Sequence, residues 1–514
     1  MKINHLLKPT VKIELRITIL LILLCISMIS YLGCSGSSSN EPQVLARVEV
    51  PGYLEDLNLP VYADMVDEEE TYYALVIATK TQLDKAGVTY RVIDNYMPGT
   101  RYLIAREEYE GAREEIPGLA ILYDDGEHII VRYKAALSEL LPELGFDISL
   151  MSNYPIWSGT AALNVPSKSN VASAAASFTK DDDVEAMLNA VTQNDIELLT
   201  EYLSGEKQVT VNGTLVTLSS RHTYKEGTKV EAAAQYVYDQ LKAMGVTASF
   251  SKEWTFMHND DEDNPTSVPF SVSGRNVIGE IKGQTIPEEI VILIAHLDSI
   301  SRETDATAPG ADDNASGCVG LLTAAKIMKA YTFKRTVRFV FTTGEEQALF
   351  GGEAYAETVY DEGKKIIAVL NLDMIGYSEI KDPPVKPIQQ IKIRHKKFKT
   401  AYEKDLPTAQ TYINVVNTYG MDQVFDVKLV ADGESCSDQA PFWKICAKKG
   451  ERNSACYSAA WAIENAEDDF INKKMHTVDD RIKLKNKYHM NLPYYAAIVK
   501  AALGTAAHLA EIED

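Results

Sequence analysis

Short apolar runs bounded by polar sequence alternate with stretches in which apolar residues return every three or four positions, so buried strands and amphipathic helices are predicted in turn. The clearest run is Ile290 to Ala295, which stops at His296 with Asp298 two places on. A polar loop leads to Ala308-Pro309-Gly310-Ala311-Asp312-Asp313-Asn314, and Leu321, Leu322, Ala325 and Met328 then mark a helix within Ala315 to Tyr331. A second run, Thr336 to Thr343, ends in Gly344-Glu345-Glu346 and precedes a helix carrying Leu349, Phe350, Ala354 and Tyr355. A third, Ile366 to Leu372, ends at Asp373. Further strands are predicted at Thr247 to Trp254, Arg275 to Lys282, Val427 to Ala431 and Ser458 to Ile463, and an Ala-rich helix at Leu492 to Ile512. This alternation predicts an α/β domain over residues 181–514, with a mostly parallel central sheet and helices on both faces.

The first part of the chain reads differently. Residues 44–152 predict a smaller α+β module with strands at Val44 to Val50, Tyr72 to Thr79, Val88 to Asp94, Tyr102 to Ala105, Ala120 to Tyr123, His128 to Tyr133 and Phe146 to Met151. Helices are expected at Thr81 to Gly87, Glu107 to Glu115 and Lys134 to Leu144. YYALVIATKTQLDKAGVTYRVID and HIIVRYKAALSELLPELGFDISLMS both run strand, amphipathic helix, glycine, strand, which suggests a duplicated unit. The module holds no catalytic constellation and reads as a packing or docking unit. Residues 153–180, rich in Ser, Ala and Asn, read as a linker.

Charge narrows the partners. The net charge is −22 over 514 residues, and an acidic chain is repelled by nucleic-acid backbones. Residues 1–34 read as a targeting segment: Lys2, Lys8, Lys12 and Arg16 precede the apolar stretch Ile17 to Leu32, which is short for a membrane span. It ends in Tyr31-Leu32-Gly33-Cys34 and resembles a bacterial lipoprotein signal, implying a lipid anchor on Cys34 and a tether over 35–43. A plain cleaved signal or an uncleaved anchor are the alternatives. The expected location is the cell envelope or the exterior. Of the remaining cysteines, Cys318 reads as a buried small residue. Cys436, Cys446 and Cys456 crowd together, and an oxidising compartment permits one bridge among them. Spacing does not fix the pairing; Cys446 with Cys456 is the one we favour.

The chemistry lies at the strand ends. His296, the Glu345-Glu346 pair and Asp373 terminate three strands, and Asp312 and His476 come from loops. Two histidines with three carboxylates suit zinc. Asp312, near a helix start, is the expected bridge between two ions; His296 and Asp373 complete one site, Glu346 and His476 the other. Glu345 is then free to take a proton from water beside the metals. Asp298 is placed to orient the His296 ring. Arg221 and His222 either touch substrate or serve structure.

AHLDS, APGADDNASG, TTGEEQALFGG, NLDMIGY and HTVDD together resemble the co-catalytic di-zinc aminopeptidases, metallopeptidase family twenty-eight, over roughly residues 181–510. The resemblance implies a zinc-peptidase-like α/β fold, two Zn2+ per chain, a peptide substrate, and hydrolysis of its N-terminal residue. It implies His296, Asp312, Glu346, Asp373 and His476 as ligands, Glu345 as general base, and Asp298 as support. The chain departs from the pattern at Gln439, where many relatives have histidine, at Glu434, where some have an oxyanion-steadying tyrosine, and at Asp432, where the same relatives have a cysteine. A carboxypeptidase, a glutaminyl-cyclase-like acyltransferase and a non-catalytic surface lipoprotein are the competing readings. The first needs a basic group for a substrate carboxylate.

Overall fold

The computed structural model describes residues 41–107, 111–116, 118–134, 136–158, 178–223, 230–258, 270–379, 385–450, 455–467 and 470–513. The expected targeting segment, most of the tether and most of the linker lie outside them. Among the described residues no helix is long and apolar enough to cross a membrane.

Residues 43–150 build two four-stranded antiparallel sheets. The first contains β1 (Gln43–Glu49), β2 (Val61–Val66), β3 (Tyr72–Thr79) and, after helix α1 (Lys80–Ala86), β4 (Tyr90–Asn95). The second contains β5 (Tyr102–Glu107), β6 (Ile121–Asp124), β7 (His128–Arg132) and, after α2 (Leu137–Glu143), β8 (Phe146–Leu150). Their strand orders are the same, β2-β3-β1-β4 and β6-β7-β5-β8. Side chains alternate across each strand. Leu45, Tyr73, Leu75 and Ile77 therefore meet Tyr102, Ile104 and Ile130 in a core shared by the two sheets. Val44, Ala46 and Val48 face outward with Leu83 of α1.

Two local expectations change. No helix starts at Glu107: this residue extends β5 opposite Phe146, and its carboxylate accepts from the backbone N–H of Gly111 and Arg113, at 2.8 and 3.3 Å. Such a side-chain acceptor competes with helical hydrogen bonding, and only a 3-10 turn forms, at Ala112–Glu115. Strand β2 was not expected, because an edge strand carries little apolar alternation.

The C-terminal domain begins with α3 (Asp182–Asn189), α4 (Gln193–Leu203) and α5 (Val230–Ala243). Its eight-stranded sheet uses β9 (Thr247–Phe250), β10 (Val277–Ile281), β11 (Ile286–His296), β12 (Arg335–Thr342), β13 (Lys365–Leu372), β14 (Ile388–Lys392), β15 (Asp426–Val430) and β16 (Ala459–Ile463). The order is β9-β10-β12-β11-β13-β16-β14-β15. The sheet is mixed, with four of its seven junctions parallel. Parallel pairing runs through the central β12-β11-β13-β16 block and recurs between β14 and β15; the other three junctions are antiparallel.

Helices lie on both faces. Val291, Leu293 and Ala295 of β11 pack with α6 (Gly317–Met328) and α10 (Leu492–Ala510). Ile290, Ile292 and Ile294 pack on the opposite side with α7 (Phe350–Asp361) and α9 (Ala440–Lys448). A disulfide joins Cys446, at the end of α9, to Cys456, with Cα atoms 6.1 Å apart. The module docks directly on this domain. Phe398, Ala401 and Ala455 complete the outer core of its first sheet, and Ala348 that of the second. The Glu55 carboxylate accepts from the backbone N–H of Lys399 and Thr400, capping helix α8 (Lys399–Thr418).

Candidate metal centre

Parallel register brings the carboxyl ends of β11, β12 and β13 to one sheet edge, where ligands gather in open α/β folds. His296 ends β11 opposite Thr342, Glu345 and Glu346 follow β12, and Asp373 follows β13. The loop after β11 turns sharply at Gly310, whose φ is +48°; a Cβ there would collide with the Asp313 carbonyl. Arg221, fully buried, holds that loop by donating to the carbonyls of Leu297, Pro309 and Gly310 at 2.7, 2.6 and 2.9 Å. Its role is structural.

Two groups of donors share one residue, Asp313. Asp313 Oδ1 lies 3.1 Å from His296 Nε2, and Oδ2 lies 2.8 Å from His476 Nε2. Asp373 Oδ1 is 3.2 Å from His296 Nε2, and Glu346 Oε2 is 2.9 Å from His476 Nε2. Glu345 Oε2 stands 4.0 Å from His296 Nε2 and lines the same cleft. All six side chains are buried.

The bridging position expected of Asp312 belongs to its neighbour Asp313. Asp312 faces the other way: Oδ1 accepts from Gly376 N–H at 2.8 Å and Oδ2 from Asn472 Nδ2 at 3.0 Å. The backbone explains the swap. Asp480 accepts from the N–H of both Asp312 and Asp313, at 3.1 and 3.0 Å, and pins the turn so that successive side chains diverge. Asp298 holds the His296 ring through its backbone carbonyl, 3.2 Å from Nδ1. Its carboxylate has a different task, accepting from the N–H groups of Glu345 and Glu346 at 3.3 Å each.

The electrostatics are those of a site that lacks positive charge. Burial, reinforced by Asp373, Glu346 and Asp438, pushes the Glu345 carboxyl well up. Burial likewise lifts Glu346 to about 7. His296 is held well above its ordinary value: burial opposes this, but Glu345 and Asp373 outweigh it. Burial also works against ionisation of Asp313, yet its two histidine partners hold its carboxyl far below the usual range. Glu346 Oε1 is buried without a hydrogen bond, which is costly unless a cation faces it. Two imidazoles, three carboxylates and an orphaned oxygen fit a pair of divalent cations such as Zn2+.

Sequence patterns missed several residues here. Ser437 donates to Asp373 Oδ2 at 2.6 Å and is itself held by Asn371 Nδ2 at 2.7 Å. More unexpected are Arg106, Glu107 and Asp147 of the N-terminal module, which line the same cleft as His296, Asp313 and Glu345. Arg106 bonds Glu434 at 2.6 Å, and Glu434 also pairs with Lys392. Glu434 thus joins the module to the domain. Nothing in local periodicity foretells such long-range pairs.

Comparison with known proteins agrees with this geometry. Residues 276–509 match the model of Peptidase family M28. The chain is 29% identical over 218 residues to a probable zinc metalloprotease of Pyricularia oryzae, covering 41% of each chain. It is 27% identical over 307 residues to leucine aminopeptidase 1 of Arthroderma otae, covering 54% of this chain and 72% of that protein. The chain spans under half the length of the zinc metalloproteases that it matches. In fold it is similar to the LapA aminopeptidase of Legionella pneumophila, with a TM-score of 0.53 at 21% identity, covering 81% of this chain and 100% of that one. The two donor groups that meet at Asp313 thus lie in a domain, residues 276–509, that belongs to peptidase family M28.

Proposed function

We propose that this chain is a zinc-dependent exopeptidase, an aminopeptidase that hydrolyses N-terminal residues from peptides. The observation that carries the reading is Asp313, which offers one oxygen to the His296–Asp373 group and the other to the Glu346–His476 group. His296, Asp313 and Asp373 would hold one Zn2+, and Asp313, Glu346 and His476 the other. Zinc so bound supplies Lewis acidity and lowers the pKa of water.

The protein's own groups do the rest. Glu345 is buried in the same cleft, with Oε2 4.0 Å from His296 Nε2, where it would take a proton from water and pass it to the leaving amine. Asp298 fixes the backbone of Glu345 and Glu346, and Ser437 fixes Asp373. The test is hydrolysis by zinc-loaded mature protein of free-amine and N-blocked peptides. Release of free N-terminal residues is expected; cleavage of blocked peptides alone would sink the reading. We further propose that Cys34 carries a lipid anchor holding the enzyme at the cell-envelope membrane.

A further inference from the structure

Strand order leaves β8 at the open edge of the second sheet, paired with β5 alone. One end of this pair stands at the candidate metal centre, where Asp147 of β8 and Arg106 and Glu107 of β5 line the cleft. That cleft encloses only about 60 Å³, far short of the roughly 300 Å³ at which ligand pockets begin. It shares Arg106, Asp147, Cys436 and Ala466 with a second cavity of about 480 Å³. From Asp147 onward, Ser149, Leu150, Met151 and Ser152 continue along the wall of that cavity. The strand thus leads away from the metals into the adjoining space.

Two details show that β8 turns its edge to this cavity. Ser149 to Ser152 line it consecutively, whereas a strand that presents one face offers only every second residue. Leu150 packs its side chain with the outer core of the second sheet, away from Ile104 and Met151 on the inner face, so its main chain is what borders the cavity. The Met151 N–H donates to the Tyr102 carbonyl at 3.0 Å. Main-chain groups alternate in direction, so those of Ile148 and Leu150 point outward, with no other described strand beside them. Such an edge is a template for another extended chain.

Charge beside the strand narrows what that chain carries. Arg106 meets three carboxylates, Glu434 at 2.6 Å, Asp147 at 3.6 Å and Glu127 at 3.9 Å. Lys392 shares Glu434 and takes Asp432 at 3.1 Å. Four carboxylates over two cations leave two negative charges, and all six side chains line the cavity. The other cations of the wall have acids of their own: Lys428 has Glu467 at 2.7 Å, Arg394 has Asp405 at 2.7 Å, and Lys444 faces Glu353 and Asp64. A basic peptide complements this wall and an acidic one is repelled by it.

We infer that the body of a peptide substrate binds as an added strand on the free edge of β8, parallel to it, with its N-terminus at the metals and basic residues favoured along its length. Asp147 to Met151 span about 13 Å, the reach of four extended residues. The inference rests on the aminopeptidase reading and names its substrate class: extended, basic peptides of at least about five residues, one at the metals and four along the strand. The N-terminal module is then part of the substrate site, and it reads the peptide through the main chain of Ile148 and Leu150.

The test uses the full mature, zinc-loaded protein. Binding of Leu-Ala-Lys-Ala-Lys-Ala to the Glu345→Gln variant is measured by calorimetry, together with three analogues in which the amide N–H of the third, fourth or fifth residue is replaced by an ester oxygen. Hydrolysis of leucine 4-nitroanilide by the unmodified enzyme is measured separately. Only every second N–H of a strand faces its neighbour, so the losses should alternate along the peptide, about three- to tenfold at one parity and under about twofold at the other. Leu150→Pro removes an outward N–H at an edge position, where proline is tolerated, and should weaken the parent peptide by about the same factor. Leu150→Ala keeps that N–H and should not. Equal losses from all three esters, or none from any, overturn the added strand, and the esters require no change to β8. Unchanged affinity in Leu150→Pro overturns the assignment to this edge. Leu-Ala-Glu-Ala-Glu-Ala binding as tightly as the lysine peptide overturns the basic preference. The anilide has no chain beyond its first residue and reports the aminopeptidase reading alone. If it is not cleaved, that reading falls and takes the strand site with it; if it is cleaved while the esters bind alike, only the strand site falls.

Discussion

Asp312 and Asp313 are chemically identical neighbours with opposite tasks, and substitution separates them. Asp313→Asn should reduce zinc content and turnover together, because the shared oxygen pair is lost. Asp312→Asn should retain zinc but melt earlier, since the new amide cannot accept from both Gly376 and Asn472; a lost buried hydrogen bond costs about 1–3 kcal/mol. Metal analysis alongside thermal unfolding checks both, and zinc lost from Asp312→Asn alone would reverse the assignment. Glu345→Gln should keep both metals and lose roughly 10²–10⁴-fold in kcat. Unchanged turnover would remove Glu345 from its role. His296, Glu345, Glu346 and Asp373 were legible because each abuts an apolar run whose end is plain in the sequence. In Gly310-Ala311-Asp312-Asp313 no period operates, so the sequence could not say which aspartate turns inward.

Secondary-structure elements follow the same division. β11, β12 and β13 are apolar on both faces because helices cover both, and such runs stand out. β2 and the 3-10 turn after β5 did not, since edge pairing and a side-chain acceptor decided them. The contact between β5 and the segment after β15 gives a pH prediction. Burial opposes ionisation of Glu434, but Arg106 and Lys392 outweigh it and hold its carboxyl at about 2, below its ordinary 4.5. A carboxyl depressed in the folded state stabilises the fold above its unfolded value, and that contribution disappears as pH falls from about 4.5 to about 2. Thermal unfolding should therefore show Glu434→Gln less stable than the parent at pH 7, with the gap closing towards pH 3. A gap that does not change with pH would refute this. The Cys446–Cys456 bridge closes a loop of ten residues at the end of α9, and replacing both by serine should cost about 2–3 kcal/mol.

At the scale of the molecule, the α/β domain was readable from alternating strands and helices, whereas the docking of the module upon it was not. Contacts such as Glu55 with the start of α8, or Arg106 with Glu434, join segments whose local patterns say nothing of each other. The proposed anchor is tested at this scale: Cys34→Ser should move the protein from the membrane to the soluble fraction of cells. A protein already soluble before the change would exclude the anchor.

The grip of Asp480 on the backbone of Asp312 and Asp313 bears on how the protein is made. Five of the six cleft residues, from His296 to Asp373, leave the ribosome long before His476 and Asp480 do. Until that late stretch emerges, the inward aspartate has no clamp and one imidazole is missing. On the proposed reading, a polypeptide still short of that stretch would lack hydrolytic power, which would arrive only with the last turns of synthesis.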